Sequence, residues 1–270
     1  MRINNIKVKK WVRVALNRHI SCSKDDMGRV DIISDLDSMP GALYFCMHGA
    51  YRCGSGVVYG HCSKEVAKTI NALLPEAVMI PIEDIKEYEI HDALAWGPGL
   101  NPYFWDQDRI RNILNLPISK VIDATGIRLL SNHLSLLSDN RFPLILTPHE
   151  GEFRALIKEP GNNRKDRCKQ AIIFAKKYNV VLVLKGHRTF VTDGENYYIN
   201  SNGNPGMATA ASGDILTGII VSLLGRKISS FKAACIGVYL HGRAGDLAKA
   251  NLGETAIMAR DILSHLATKI

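Results

Sequence analysis

Residues 203–214 read Gly-Asn-Pro-Gly-Met-Ala-Thr-Ala-Ala-Ser-Gly-Asp and run directly into the apolar segment Ile215–Leu224. A loop of glycines and small side chains lets backbone N–H groups approach an anion closely. The start of the helix behind it adds a partial positive charge. Asp214 falls at the expected helix start and has two readings. It is a general base beside the anion site, or it is an N-cap, a position Asp fills well. A cap has no need of such a loop, so the base is the stronger reading. The pattern G-x-x-x-x-G-K-[ST] does not occur, which disfavours a P-loop nucleotide hydrolase.

Upstream of this loop, short β-branched runs alternate with helix-length segments. The runs are Val30–Ser34, Val57–His61, Val78–Pro81, Leu94–Trp96, Lys120–Ile122, Leu144–Leu146 and Val180–Leu184. Ala42–Cys53, Lys64–Leu74 and Arg164–Tyr178 are amphipathic at helical spacing. This rhythm predicts a three-layer α/β/α fold with a mainly parallel central sheet. Thr189–Thr192 and Tyr197–Asn200 flank Asp193-Gly194 and read as a hairpin. Three helices are then expected, at Asp214–Leu224, Phe231–Ala250 and Thr255–Ala267.

In an open parallel sheet, ligands bind outside the carboxyl ends of the strands, and the unusual residues gather at those ends. Gly97-Pro98-Gly99 follows one strand and Asp123-Ala124-Thr125 another. Thr147-Pro148-His149-Glu150-Gly151-Glu152 and Lys185-Gly186-His187-Arg188-Thr189 close the next two. Each polar residue has a plain structural reading beside the functional one. His149 could be a satisfied core or loop histidine, and Glu150 and Glu152 suit the first turn of a following helix. Lys185 could meet a phosphate or a surface acid. Asp123 could hold a magnesium-bound water or a backbone N–H. His241 falls on a helical stretch and reads as packing.

The net charge of +8 would suggest nucleic acid were it spread over the molecule. Residues 1–24 carry Arg2, Lys7, Lys9, Lys10, Arg13, Arg18 and Lys24 with no acid, leaving 27 cations against 26 acids elsewhere. So neutral a body is no phosphate-tracking surface. Residues 1–23 are therefore set apart as a basic arm or helix ahead of a single domain over 24–270. Val8, Trp11, Val12, Ala15 and Leu16 at helical spacing suit a packed helix with a solvated basic face. A transit peptide or a surface-contacting arm remain as alternatives. No apolar run approaches the roughly 18 residues that cross a bilayer. The six cysteines show no C-x-x-C pair or zinc spacing, which fits a reducing compartment.

At these residues the sequence resembles the ADP- or ATP-dependent NAD(P)H-hydrate dehydratases, a branch of the ribokinase-like superfamily. The similarity is densest in TPHEGEF, VLKGHRT, NGNPGMATAASGDILTGII and GVYLHGRAGDLA. It is weaker but in register in KDDMGRV, Pro40–Ala42, Gly97–Leu100 and VIDATGI. The resemblance implies that Ala42, Gly99, His149 and Asp214 touch the hydrated NADH or NADPH. It implies that Lys185, Gly186, His187, Arg188, Thr189 and Gly213 hold the ADP or ATP. The implied reaction phosphorylates the 6-hydroxyl of the hydrate, Asp214 removing its proton, and phosphate then leaves. Magnesium is expected to offset the phosphate charge, with no protein side chain singled out as its ligand.

A cytoplasmic homo-oligomer is expected, with a separate NAD(P)H-hydrate epimerase in the same pathway and no nucleic-acid or membrane partner. Three departures stand out from the family pattern. Ser34-Asp35-Leu36 replaces GGS, Asp123-Ala124-Thr125 replaces DAD, and Ala211 replaces the first glycine of GSGD. They keep two other readings open: a ribokinase-like kinase of a vitamin precursor or sugar, and a degenerate nucleotide-binding protein without turnover.

Overall fold

A computed structural model describes residues 1–82, 90–159 and 161–266. In chain order the elements are β1 (Arg2–Ile3), α1 (Asn5–Leu16), β2 (Arg29–Ile33), α2 (Pro40–Cys53), β3 (Val57–Cys62), α3 (Lys64–Leu73) and β4 (Val78–Pro81). Then come β5 (Ala93–Trp96), α4 (Gln107–Asn115), β6 (Ser119–Ile122), α5 (Ala124–Ser131), α6 (Ser135–Ser138), β7 (Leu144–Leu146), α7 (Glu150–Ile157) and α8 (Arg164–Tyr178). The chain ends with β8 (Val181–Leu184), β9 (Phe190–Thr192), β10 (Tyr197–Ile199), α9 (Ser212–Gly225), α10 (Ser230–Leu252) and α11 (Ala259–His265).

The strands form one ten-stranded sheet in the order β1-β10-β9-β8-β7-β6-β5-β2-β3-β4. Every pairing is parallel except those of β9 with β8 and β10. Side chains alternate across the sheet with the period of two that strands impose. Val30 and Ile32 of β2, Ala93 and Ala95 of β5, and Val181 and Val183 of β8 enter one core. Ile33, Leu94, Trp96, Leu182 and Leu184 enter the other. The first core is closed by α1–α3 and α9–α11, the second by α4–α8. The result is the three-layer arrangement expected from the alternating pattern.

Two features of this frame aim the site. The chain leaves β2 for β3 and β4 on one side, then returns to β5 on the other side of β2 and continues through β6, β7 and β8. The switch point, where the loops after β2 and β5 part and leave a crevice, is where such sheets bind ligands. The other feature is the contact of α9 with α2. A Cβ on Gly218 would lie 2.0 Å from the Cys46 carbonyl oxygen, so only glycine lets the two backbones approach this closely.

Residues 1–23, set apart in the sequence as a basic arm or helix, share the core of the domain. β1 pairs in parallel with β10, and Val8, Val12 and Ala15 are buried with residues of α9 and α10. Lys9, Lys10 and Arg13 remain exposed on the outer face. The hairpin is present, with Thr192 opposite Tyr197 and the Asp193 carboxylate accepting from the N–H groups of Glu195 and Asn196. The last helix starts later than expected, at Ala259. Gly253 ends α10 at φ +77°, and the Asp261 side chain accepts the Met258 N–H to open α11. Ala267, the expected end of that helix, lies outside the described residues. Cys22, Cys46, Cys53, Cys168 and Cys235 are free thiols.

Candidate active site

The loops after β2, β5, β6, β7 and β8 belong to five consecutive strands of the sheet, so their residues line one continuous edge. At the β6 end, Asp123 is 1% exposed and opens α5 by accepting the Ala124 N–H. Its Oδ1 also accepts from Lys185 Nζ at 2.5 Å, and its Oδ2 accepts the Thr217 hydroxyl of α9 at 2.8 Å. Both carboxylate oxygens are thus engaged, with partners 62 and 94 residues away in the chain. A Cβ on Gly213 would stand 3.4 Å from Lys185 Nζ and 3.7 Å from Asp123 Oδ2. The start of α9 therefore rests directly on this ion pair.

Asp214 is the third residue of α9, and the N-cap is Ala211, which caps with no side-chain bond. Its capping reading is thereby corrected. The helix begins two residues earlier than its apolar run suggests, which moves Asp214 inside the first turn. Burial raises its carboxyl to about 7, the neighbouring Asp123 charge adds to the rise, Lys185 opposes it, and Glu152 adds a little more. Burial works against the Lys185 ammonium, but Asp123 and Glu152 outweigh it and hold its pKa above the usual lysine value. A carboxyl that titrates near neutrality beside a fixed cation and a helix start is suited to take a proton and return it.

At the β7 end, His149 is the N-cap of α7. Its Nδ1 accepts the N–H groups of Gly151 and Glu152, while Glu152 accepts the His149 N–H. Two accepted bonds at Nδ1 leave the proton on Nε2, which lies 3.2 Å from Glu152 Oε1 with the ring largely exposed. The reading of His149 as a satisfied loop histidine holds for its inner nitrogen, which builds the helix start, while its outer nitrogen lies against Glu152. Glu152, 3.9 Å from Lys185 Nζ, links it to the Asp123 pair.

At the switch point, Gly99 adopts φ +64°. A Cβ there would fall 2.3 Å from Ser34 Oγ and 3.2 Å from the Ala42 Cβ. Ala42 lies in the first turn of α2, and both it and Gly99 are buried, so they offer backbone and close approach rather than side-chain chemistry. Cys46, one turn further along α2, has its thiol pushed well up by burial and then by the Asp214 and Asp123 charges. That connects the switch point to the carboxylates.

The Lys185–Thr189 run divides. Lys185 turns inward to Asp123, while Gly186, His187 and Arg188 are exposed and the Thr189 hydroxyl donates to the Gly186 carbonyl. Three non-glycine residues of this edge have positive φ: Ala124 at +46°, Arg188 at +57° and Ala211 at +67°. Such strain collects where surrounding structure holds a functional loop in place.

Sequence reasoning passed over several supports. Asp246 of α10 accepts the Gly203 N–H and the Asn204 amide, fixing the start of the glycine-rich loop. His241, read from the sequence as packing, also brings its Nε2 to 3.2 Å from Ser212 Oγ, and burial depresses that imidazole to about 4. Arg164 of α8 donates to the Arg188 carbonyl at 2.8 Å. Only one hint of these was available, the polar residues of GVYLHGRAGDLA in an otherwise apolar helix.

A mainly parallel sheet with a glycine-rich loop, a helix start and a buried carboxyl at the carboxyl ends of its strands places the chain in the ribokinase-like class of α/β folds. The family model for NAD(P)H-hydrate dehydratases matches residues 30–268, and the chain belongs to that family. It is 35% identical over 278 residues to the bifunctional NAD(P)H-hydrate repair enzyme Nnr of Moorella thermoacetica, covering 95% of this chain and 52% of that one. It is 30% identical over 240 residues to the ADP-dependent (S)-NAD(P)H-hydrate dehydratase of Neisseria meningitidis, covering 86% and 81%. The Bacillus subtilis ADP/ATP-dependent NAD(P)H-hydrate dehydratase, co-crystallised with ATP and Mg2+, superposes with a TM-score of 0.83 at 29% identity, covering 94% and 93%. The chain spans about half the length of the bifunctional relatives it matches.

Proposed function

We propose that this protein dehydrates hydrated NADH and NADPH at the expense of ADP or ATP. The observation that carries this reading is Asp214, a carboxyl raised to about 7 in the first turn of α9. In the proposed step, Asp214 takes the proton of the 6-hydroxyl as that oxygen attacks the terminal phosphoryl group. The nucleotide departs one phosphate shorter. The carbon–oxygen bond then breaks, phosphate leaves with the bonding pair, and loss of a ring proton restores the dihydronicotinamide. Backbone N–H groups of residues 211–213 stabilise charge on the transferring group. The Gly186–Thr189 rim and Gly213 hold the nucleotide, while Ala42, Gly99 and the outer N–H of His149 receive the hydrate. Lys185 is better described as the counter-ion of Asp123 than as a rim contact.

Magnesium fits this site as an ion carried on the phosphates. Both Asp123 oxygens already accept hydrogen bonds, from Ala124, Lys185 and Thr217. When bound, the ion would supply charge neutralisation to the phosphates. The same reading carries a cytoplasmic location, an assembly of like subunits and a separate epimerase for the opposite hydrate. No described helix is long and apolar enough to cross a membrane.

The test is incubation with authentic hydrate and ADP or ATP, following regenerated dihydronicotinamide absorbance and free phosphate. Equal release of both supports dehydration. Accumulation of a phosphoester identifies a kinase, and bound nucleotide without product identifies a degenerate binder.

A further inference from the structure

The loops that meet at the switch point are tied together by residues that depart from the family pattern. The Ser34 hydroxyl and the Leu36 N–H both donate to the Gly99 carbonyl, at 3.1 and 2.9 Å. Asp35 spans further along the same loop. Its Oδ1 accepts the Asn101 N–H at 2.6 Å and its Oδ2 accepts the Trp105 indole N–H at 3.0 Å. Asn101 in turn accepts the Tyr103 N–H. Trp105 is anchored in the core, edge-on to Trp96 at 5.2 Å. Both ends of the segment are therefore fixed, yet the aromatic residues it carries are not buried. Tyr103 is 96% exposed and Phe104 41%. Phe104 is held from two sides, edge-on by Trp105 at 5.5 Å and by the Arg109 guanidinium at 4.1 Å from its ring centre.

The loop that Asp35 ties down on both carboxylate oxygens thus displays Tyr103 and Phe104 to solvent. Tyr103 is four residues from Gly99, so it lies within about 14 Å of the residue beside Ser34 and Ala42. A dinucleotide seated with its reacting ring toward Asp214 has a second, remote ring, the flat aromatic adenine. We propose that Tyr103 and Phe104 form the stacking surface for the adenine base of the dinucleotide, with Asp35 as the positioning residue that holds their loop. This rests on the dehydratase reading for the identity of the ligand. It gives Ser34-Asp35-Leu36, two glycines short of the family pattern, a purpose in this chain.

The test compares NADH with reduced nicotinamide mononucleotide, which lacks the adenosine half, by calorimetric titration of the whole protein. Base stacking on an aromatic side chain predicts that wild type prefers NADH by roughly 5- to 100-fold. Tyr103→Ala, at an exposed position that leaves the core intact, should collapse that preference without changing the mononucleotide affinity, and Tyr103→Phe should restore it. Asp35→Asn should weaken the preference in part, because its amide N–H faces a donor where a carboxylate oxygen accepted one. The same variants assayed with the dinucleotide hydrate should raise KM while leaving kcat within about twofold. No preference in wild type, an unchanged preference in Tyr103→Ala, or a change in native mass that tracks the loss of affinity would overturn the proposal. The last outcome would assign the ring to a subunit contact. An intact preference in a protein that turns over no hydrate would sink the dehydratase reading and leave the stacking surface standing.

Discussion

The proposed chemistry turns on Asp214, whose position follows from two residues of helix that the apolar pattern does not reveal. Ala211, not Asp214, is the N-cap, so Asp214→Asn removes the proposed base without removing a cap. Turnover should fall on the order of 10²–10⁴-fold in steady-state assays, and the wild-type kcat/KM should lose activity below an acid limb near 7. The stability effect has a definite sign. A carboxyl whose folded pKa is raised costs stability once pH passes its unfolded value near 4, and the full cost is present above the folded value near 7. Asn does not titrate, so Asp214→Asn should be more stable than wild type by on the order of 4 kcal/mol at pH 8, with a smaller gap at pH 5. Denaturant melts at the two pH values measure it, and a pH-independent gap would contradict the buried-base assignment. Ala211 supplies the second residue-scale outcome. Its φ of +67° costs a side chain roughly 1–2 kcal/mol, against the 0.5–1 kcal/mol that glycine loses in chain entropy. Ala211→Gly should therefore gain up to about 1 kcal/mol in unfolding free energy and bind nucleotide equally or more tightly.

The strands were legible because short β-branched runs bounded by glycine, proline and polar residues leave little choice. β2, β3, β4 and β7 fall within a residue of where those runs lie. β1 was not legible, since two residues carry no periodicity and owe their pairing to β10, nearly two hundred positions away. The site divides the same way. Its loops could be read from their place at strand ends, but the engagement of Asp123 by Lys185 and Thr217 is tertiary and leaves no local trace. The same contacts show how an element is aimed. α9 presents Gly213 and Asp214 to the ion pair only because Gly218 lets it sit against α2 at Cys46. Gly218→Ala would place a methyl 2.0 Å from a backbone oxygen, a clash neither helix can relieve by rotating a side chain. Overpacking of this kind costs about 1–3 kcal/mol or more. The expected outcome is a lower melting temperature together with loss of turnover beyond the loss of folded protein, as α9 shifts off Asp123. Full activity per folded molecule would show that the helix start needs no such register.

At the scale of the whole molecule, one edge gathers the loops of five adjacent strands, and three of its non-glycine residues sit at positive φ. This strained edge, where Asp123 and Glu152 converge on Lys185, is where the proposed function seats the nucleotide. Nucleotide binding should therefore register in the global stability. A ligand that binds only the folded state adds about 2.7 kcal/mol at a hundredfold excess over Kd. For a domain of this size each kcal/mol raises the melting temperature by roughly 2–4 °C, so ADP or ATP with magnesium should shift it by roughly 5–10 °C. Arg164 makes the effect specific to the proposed rim. It bonds the Arg188 carbonyl and also reaches Glu150 at 3.4 Å, well away from Asp214 in the chain. Arg164→Ala should diminish the nucleotide shift while leaving the protein folded, because Arg167 retains its own bond to Glu150 at 3.0 Å. A melting curve that neither nucleotide moves, at any magnesium concentration, would remove the nucleotide from this edge and with it the phosphoryl-transfer step. A shift that survives Arg164→Ala undiminished would keep the nucleotide and place its grip on the 203–213 loop alone.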